Sequence, residues 1–472
     1  MGRTSKYLKL KEKIIESAVS SGVDRLPSER ELSNHYKVGR NTAKKALNSL
    51  LEDKLVTRKV GNGTFLIPSK RKVRVSLVLT GVGENLLSYF KKEAAIYSSH
   101  SPATEIMIKT TPANFLVKTA KEMPGAKILV TPSVGYLVKL GLLARLDNMP
   151  NFTESLRQVN SKYIDWEKQG KEKSACYSIP YALSSYVCAV NTQHAKTLGL
   201  DSENGPKDTA DLLRWMEAVD RYNKEHKGSK IAGTHLCGID AEYSRPLPRS
   251  FYLTFSGGKP FLREKEGEPV FDFSSGNNWF GFFRKIKETG SFFQQQIPHP
   301  HPVIAGDTLF SYEIGPWIIK EMDKAGLRSA VNFVKFPGFD KADISFSHCS
   351  KSSMAIMGDG MPDHPDRKAA WDFLRHITCN EEPQRRLADN YSFLTVNNAV
   401  FAEQSKDASL NPFIQSLATG VMREDSFAQH SVMKIVGKYF FDAVHGLLSV
   451  KDAVARTEEM CNLQIEIEKE RI

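Results

Sequence analysis

Apolar positions in the first fifty residues recur every three or four places, and that spacing predicts helices. Tyr7, Leu10, Ile14 and Ala18 share one face of a helix over 7–20, which stops at Ser21-Gly22. "LPSERELSNHY" opens a second helix, where Ser28 and Glu31 make an S-x-x-E capping box that satisfies free backbone donors. In "KVGRNTAKKALNSLL" (37–51), Ala43, Ala46, Leu47, Leu50 and Leu51 form one apolar face. Arg40, Asn41, Thr42, Lys44, Lys45 and Asn48 occupy the rest of that helix. The pattern then turns to strands: "LVTRKVGNGTFLI" reads as a hairpin joined at Gly61-Asn62-Gly63, whose tip needs positive φ. Helix, helix, turn, helix, hairpin is the order of a winged helix-turn-helix.

After the polar, basic linker "IPSKRKVRV" (67–75), strand and helix patterns alternate. "VRVSLVL", "EIMIK" and "AKILVTPS" read as strands, separated by helices through Tyr89–Tyr97 and Phe115–Glu122. Such alternation predicts a parallel α/β sheet. The division expected is 1–68 for the winged module, 69–75 for the linker and 76–472 for a larger domain.

Charge sharpens this division. The chain carries a formal +11, but residues 1–72 hold 17 Lys and Arg against 7 Asp and Glu, a net of +10. The remaining 400 hold 48 against 47, a net of +1. A basic module on a neutral body is the footprint expected for a polyanion. No apolar h-region opens the chain and no window is long and apolar enough for a membrane span, so a cytoplasmic location is expected. The six cysteines include no C-x-x-C pair and are expected to be reduced.

Residues 26–66, "LPSERELSNHYKVGRNTAKKALNSLLEDKLVTRKVGNGTFL", resemble the DNA-binding domain of GntR-type transcriptional regulators. The resemblance rests on Leu-Pro-Ser-Glu-Arg-Glu-Leu, the Arg-x-Thr opening of the third helix, its Ala-Leu continuation and the Gly-x-Gly-Thr-Phe wing. It implies that Arg30 touches the DNA backbone. By the same resemblance Arg40, Asn41, Thr42 and Lys44 enter the major groove, with Lys45 beside them, and Gly61, Asn62, Gly63 and Thr64 lie along the minor groove. The residue types suit those roles, because Arg can fork onto guanine and Asn onto adenine, while Lys neutralises phosphate. Gly39 departs from the family, which usually has Ser or Thr there.

The rest resembles family-1 extracellular solute-binding proteins, two-lobed sugar receptors. "AKILVTPSVGYLVKLGLLARLDNM", "YSIPYALSSYVCAVNTQHAKTLGLD", "PKDTADLLRWMEAV", "GDTLFSYEIGPWIIKEMDKAG", "HPDRKAAWDFLRHITCNEEPQRRLADNYSFLTVNNAV" and "HGLLSVKDAVARTEEMCNLQ" follow the family's order. "SHCSKSS" (347–353) departs from a Gly-rich strand entrance. The fold implied is a small α+β winged helix-turn-helix domain followed by a two-lobed α/β domain of the periplasmic-binding-protein type (type II). In such a cleft aromatic rings lie under a pyranose and polar groups surround its hydroxyls. Trp317 is the expected platform, with Ser184, Ser185 and Tyr186 at the crossover, Ser133 at a strand end, and His348 and Lys351 at the altered entrance.

Other chemistry is thin. "HPHP" (299–302) offers two histidines without an evident third ligand, and "GDGMPDHPD" reads as a helix cap, so no metal and no cofactor are expected. No G-x-S-x-G, H-E-x-x-H or P-loop occurs, so no catalytic residue is assigned. Three functions compete: a sugar-responsive transcription factor, a regulator with an aminotransferase-like domain binding pyridoxal phosphate through a lysine such as Lys351, and a transport receptor. The first is preferred. Its partners would be a pseudo-palindromic operator in double-stranded DNA, a carbohydrate effector and a second copy of the chain, with no membrane contact.

Overall fold

The computed structural model describes residues 6–470 except 21–24, 54, 60–61, 67–72, 81, 113–114, 132–133, 167–173, 228–229, 238–246, 266–267, 291, 296–305, 307, 340–343, 359–364 and 423–428. "HPHP" and most of "GDGMPDHPD" therefore lie outside the described residues.

The N-terminal module has helices α1 (Lys6–Ser20), α2 (Glu29–His35) and α3 (Arg40–Glu52). Its strands are β1 (Arg25–Leu26), β2 (Val56–Lys59) and β3 (Gly63–Leu66). The capping box forms as the sequence requires: the Ser28 N–H donates to the Glu31 carboxylate at 2.7 Å, and the Glu31 N–H donates to the Ser28 hydroxyl at 3.4 Å. Leu10, Ile14, Ala18, Leu32, Ala43, Ala46, Leu47 and Leu50 meet in one core, so the periodic positions are the buried ones. The sheet order is β1-β3-β2, all antiparallel, and Gly63 adopts φ +107°. β1 is an addition to the expected hairpin; two residues carry no periodicity from which to read a strand.

The larger domain begins with the strand Val73–Leu79, so its first residues fall within the segment read as linker. Val73–Leu79 pairs in parallel with Thr104–Thr110 and Ala126–Thr131, as the alternating pattern predicts. The sheet is not parallel throughout. Ala126–Thr131 pairs antiparallel with His348–Ile356, which pairs antiparallel with Ser178–Ser185, and Leu394–Thr395 closes that edge. The antiparallel strands come from distant parts of the chain, which local patterning cannot register. The second lobe holds a 5-stranded sheet in the order Phe292–Gln295, Ala232–Cys237, Thr308–Ile314, Val187–Asn191, Val331–Val334.

Each lobe has its own core. Leu77, Tyr89, Ile128, Tyr181, Trp371 and Phe373 belong to the first; Trp215, Phe251, Trp279, Phe283, Phe310 and Phe440 belong to the second. In the first lobe a buried Glu93 binds Arg386 through both oxygens, at 2.6 and 2.8 Å, and meets His376 at 3.3 Å. That network ties the helix Glu84–His100 to the helices Pro365–Thr378 and Glu381–Tyr391. Among the passages of the chain between the two cores, three lie close together. Tyr186 lies between Leu183 of the first and Cys188 of the second; Glu313 lies between Tyr312 of the second and Ile314 of the first; His348 precedes Cys349, where the chain re-enters the first. Cys176, Cys188, Cys349, Cys379 and Cys461 are buried free thiols.

Candidate nucleic-acid interface and interlobe site

Two places gather the candidate side chains. In the N-terminal module, Arg40, Asn41, Lys44 and Lys45 project from the exposed face of α3, while Thr42 is half-buried. Gly39 caps α3 at φ −63° and ψ 143° without a side-chain bond, and the Thr42 N–H donates to the Gly39 carbonyl at 2.8 Å instead. Arg30 is exposed on α2. A groove of about 900 Å³ between α2, the start of α3 and the wing is lined by Arg25, Arg30, Arg40 and Arg58. Arg58 is steadied by Glu29 at 3.3 Å. Four guanidiniums around one groove suit phosphate oxygens, which arginine grips through two parallel N–H groups.

The wing differs in part from expectation. Asn62 and Gly63 are exposed, but Thr64 is only 8 % exposed, because β3 pairs it with Leu26 on one side and Arg58 on the other. It still lines the groove beside Arg58 and Gly63. Gly61 lies outside the described residues. Arg25 and Arg58 were absent from the sequence reading; β1 and β2 flank β3 on either side and bring them to the groove.

The second place is where the three crossings meet. The Tyr186 ring stacks on the His348 ring with centroids 5.5 Å apart and stands edge-on to Trp317 at 5.8 Å. Trp317 also leans on Phe393 at 5.7 Å. Its indole folds back over Gly315, where an added Cβ would collide with it; the Gly-Pro-Trp order therefore has a steric reason. Tyr186 and Trp317 are half-buried and His348 is buried.

A polar cluster adjoins this wall through His348. The Arg249 guanidinium donates to His348 Nε2 at 3.3 Å, so that nitrogen carries the ring's lone pair. Glu313 accepts the Ser250 N–H at 2.7 Å, and the Ser250 hydroxyl accepts the His348 N–H at 3.0 Å. Glu313 sits at φ +54°, a left-handed conformation rare for a side chain of its size, where its strand breaks register between Ser311 and Ile314. Burial pushes its carboxyl up to about 7, against the pull of the Ser250 N–H and the Arg249 charge. Strain of this kind persists where the surroundings enforce it, and it gathers at functional sites.

The remaining candidates separate. Ser185 is fully buried and donates to the Phe413 carbonyl at 2.6 Å, so its hydroxyl packs the crossover. Ser184 is half-buried opposite Ser350. Lys351 binds Asp165 and donates to the Tyr163 carbonyl at 3.3 Å. Ser133 lies outside the described residues. Arg249, Glu313 and Phe393 were missed. A charged residue within the otherwise uncharged strand "TLFSYEI" was the signal that could have found Glu313.

Comparison with known proteins adds two family matches: bacterial extracellular solute-binding protein over residues 111–412, and bacterial regulatory proteins of the gntR family over residues 5–66. A curated relative, the uncharacterized HTH-type transcriptional regulator YurK of Bacillus subtilis, is 36% identical over 100 residues, which are 21% of this chain and 41% of that protein. The arabinose metabolism transcriptional repressor of Geobacillus stearothermophilus is 29% identical over 86 residues, 18% of this chain and 24% of its own length. The chain thus spans less than half of each of these relatives. Among solved structures, the GacH receptor of Streptomyces glaucescens, studied unliganded and with acarbose, superposes with a TM-score of 0.66 at 13% identity, over 84% of this chain and 99% of that one. The cyclic alpha-maltosyl-1,6-maltose binding protein of Arthrobacter globiformis superposes at 0.62 with 18% identity, over 83% and 99%. At such identities the likeness establishes the fold. The two-lobed solute-binding fold fills the region where the pyridoxal-phosphate reading required an aminotransferase-like one, and that reading has no support.

Proposed function

The chain belongs to the bacterial extracellular solute-binding protein family and carries a gntR-family regulatory module at its N-terminal end, and on that premise we propose that it is a ligand-responsive DNA-binding regulator. A saccharide enters between the lobes, rests on Trp317 and Tyr186, and changes the affinity of the winged module for an operator. The observation that carries this reading is the aromatic wall at the three crossings. A ligand seated there touches the segments about which the lobes would turn. Coupling requires only that the saccharide favour one lobe arrangement and the operator favour one as well. The working unit is a homodimer, since one winged helix reads a half-site. The chain acts in the cytoplasm, where its operator is.

Thermal unfolding against a saccharide panel tests the first half. A ligand at about a hundred times its Kd stabilises by roughly 2.7 kcal/mol. A shift with a saccharide class supports the reading, and its loss in Trp317→Ala assigns the site. A panel without effect contradicts it.

A further inference from the structure

Several cations of the lobes are neutralised in ion pairs. Lys351 pairs with Asp165, Arg145 with Asp147 and Arg263 with Asp272. Arg249 is different. Among the described residues it forms no ion pair, and its Nη1 contact is the neutral face of a histidine nitrogen. Glu313 feels its charge but is enclosed, strained in backbone and occupied by the Ser250 N–H, so it is a poor counter-ion. Arg249 is half-exposed and starts the helix Arg249–Phe255. Through His348 it continues the wall formed by Tyr186 and Trp317.

An uncompensated guanidinium beside aromatic rings selects for charge. A pyranose on the rings would present one edge to Arg249, and a neutral hydroxyl there would leave the cation half-desolvated without a partner. A carboxylate or phosphate on that edge would take two parallel N–H bonds in the geometry arginine prefers. Resting on the sugar-binding reading above, we infer that the saccharide recognised between the lobes is anionic, bearing a carboxylate or phosphate group that pairs with Arg249. His348 is the positioning residue, because its Nε2 lone pair orients the guanidinium.

The test uses the full-length protein and matched ligands in calorimetric titration: glucose, glucuronate and glucose 6-phosphate, then maltose and acid-bearing disaccharides, with acetate and inorganic phosphate as ion-only controls. The inference predicts that an acid sugar binds at least about tenfold tighter than its neutral counterpart, the worth of a charge-assisted pair. The uronate and phosphate arms show which acid is meant. In Arg249→Gln the preference collapses to near unity, whereas Arg249→Lys, which keeps the charge and loses the fork, retains part of it. Thermal unfolding of each variant without ligand verifies that it is folded. Equal or tighter binding of neutral sugars overturns the inference and leaves the sugar-binding reading standing. An acid preference unchanged in Arg249→Gln overturns it too, as does binding of acetate or phosphate with the same affinity as the acid sugar. Silence from every saccharide removes both readings.

Discussion

The Glu313 carboxylate and the Ser250 backbone N–H, 63 residues apart in sequence, are joined at 2.7 Å between the two lobe cores. The bond holds the second crossing against the helix whose Ser250 hydroxyl receives the His348 N–H of the third. A proton on Glu313 therefore acts where two of the interlobe segments are held together.

Its effect on stability has a definite sign. Burial raises the folded pKa from 4.5 to about 7, so between those values the folded chain holds a proton that the unfolded chain has released. The contribution is complete below the unfolded value and fades as pH rises through about 7. A displacement of that size corresponds to about 3 kcal/mol over the window. Urea unfolding from pH 4.5 to 8 should show the decline in wild type and a flatter profile in Glu313→Gln. Parallel profiles would show that Glu313 is not the titrating group.

Glu93 behaves in the opposite sense. Burial alone would raise its pKa, but the Arg386 guanidinium and His376 outweigh it and hold the carboxyl below its ordinary value. Arg386→Met leaves a buried carboxylate without its main partner and should cost about 3–5 kcal/mol by denaturant unfolding. A loss below about 1 kcal/mol would mean that Glu93 is protonated or hydrated in the native state.

Gly315 tests the placement of the indole separately from its chemistry. In Gly315→Ala the added methyl must displace Trp317. Saccharide affinity should fall although every ring is retained, and the emission maximum of the protein should shift. Unchanged affinity would separate Trp317 from the binding site.

On the DNA side, Arg40→Ala should weaken specific operator binding by about 1–3 kcal/mol and relax one base position, while Lys44→Ala lowers affinity for all sequences and reduces the salt slope. Gel-shift titration at two salt concentrations distinguishes them. Wild-type affinity in Arg40→Ala would contradict the placement of α3 in the major groove.

How far the sequence reached depended on how local the information was. The Ser28–Glu31 box and the buried stripe of α3 are each written within a dozen residues, and each formed as read; at the wing, Gly63 takes the positive φ that the hairpin needs. The mixed sheet was not legible. Ser353 faces Thr131, and nothing near either residue announces the other. The interlobe cluster shows the same limit. Tyr186 and Trp317 were accessible through family resemblance and His348 through a departure from it, but Arg249 reaches His348 across 99 residues, so their adjacency exists only in the fold. Ser185 marks the converse error: a polar residue at a promising position is taken up by the packing of the crossover that carries it.

Titrating operator DNA with and without saturating saccharide, in wild type and in Trp317→Ala, tests the central claim most directly. The account predicts that the saccharide changes wild-type operator affinity by at least about fivefold, the lower end of ordinary coupling, and leaves the Trp317→Ala isotherm where it was. Coincident wild-type isotherms, with saccharide binding verified in the same sample, would show that the two modules share a chain without sharing a function.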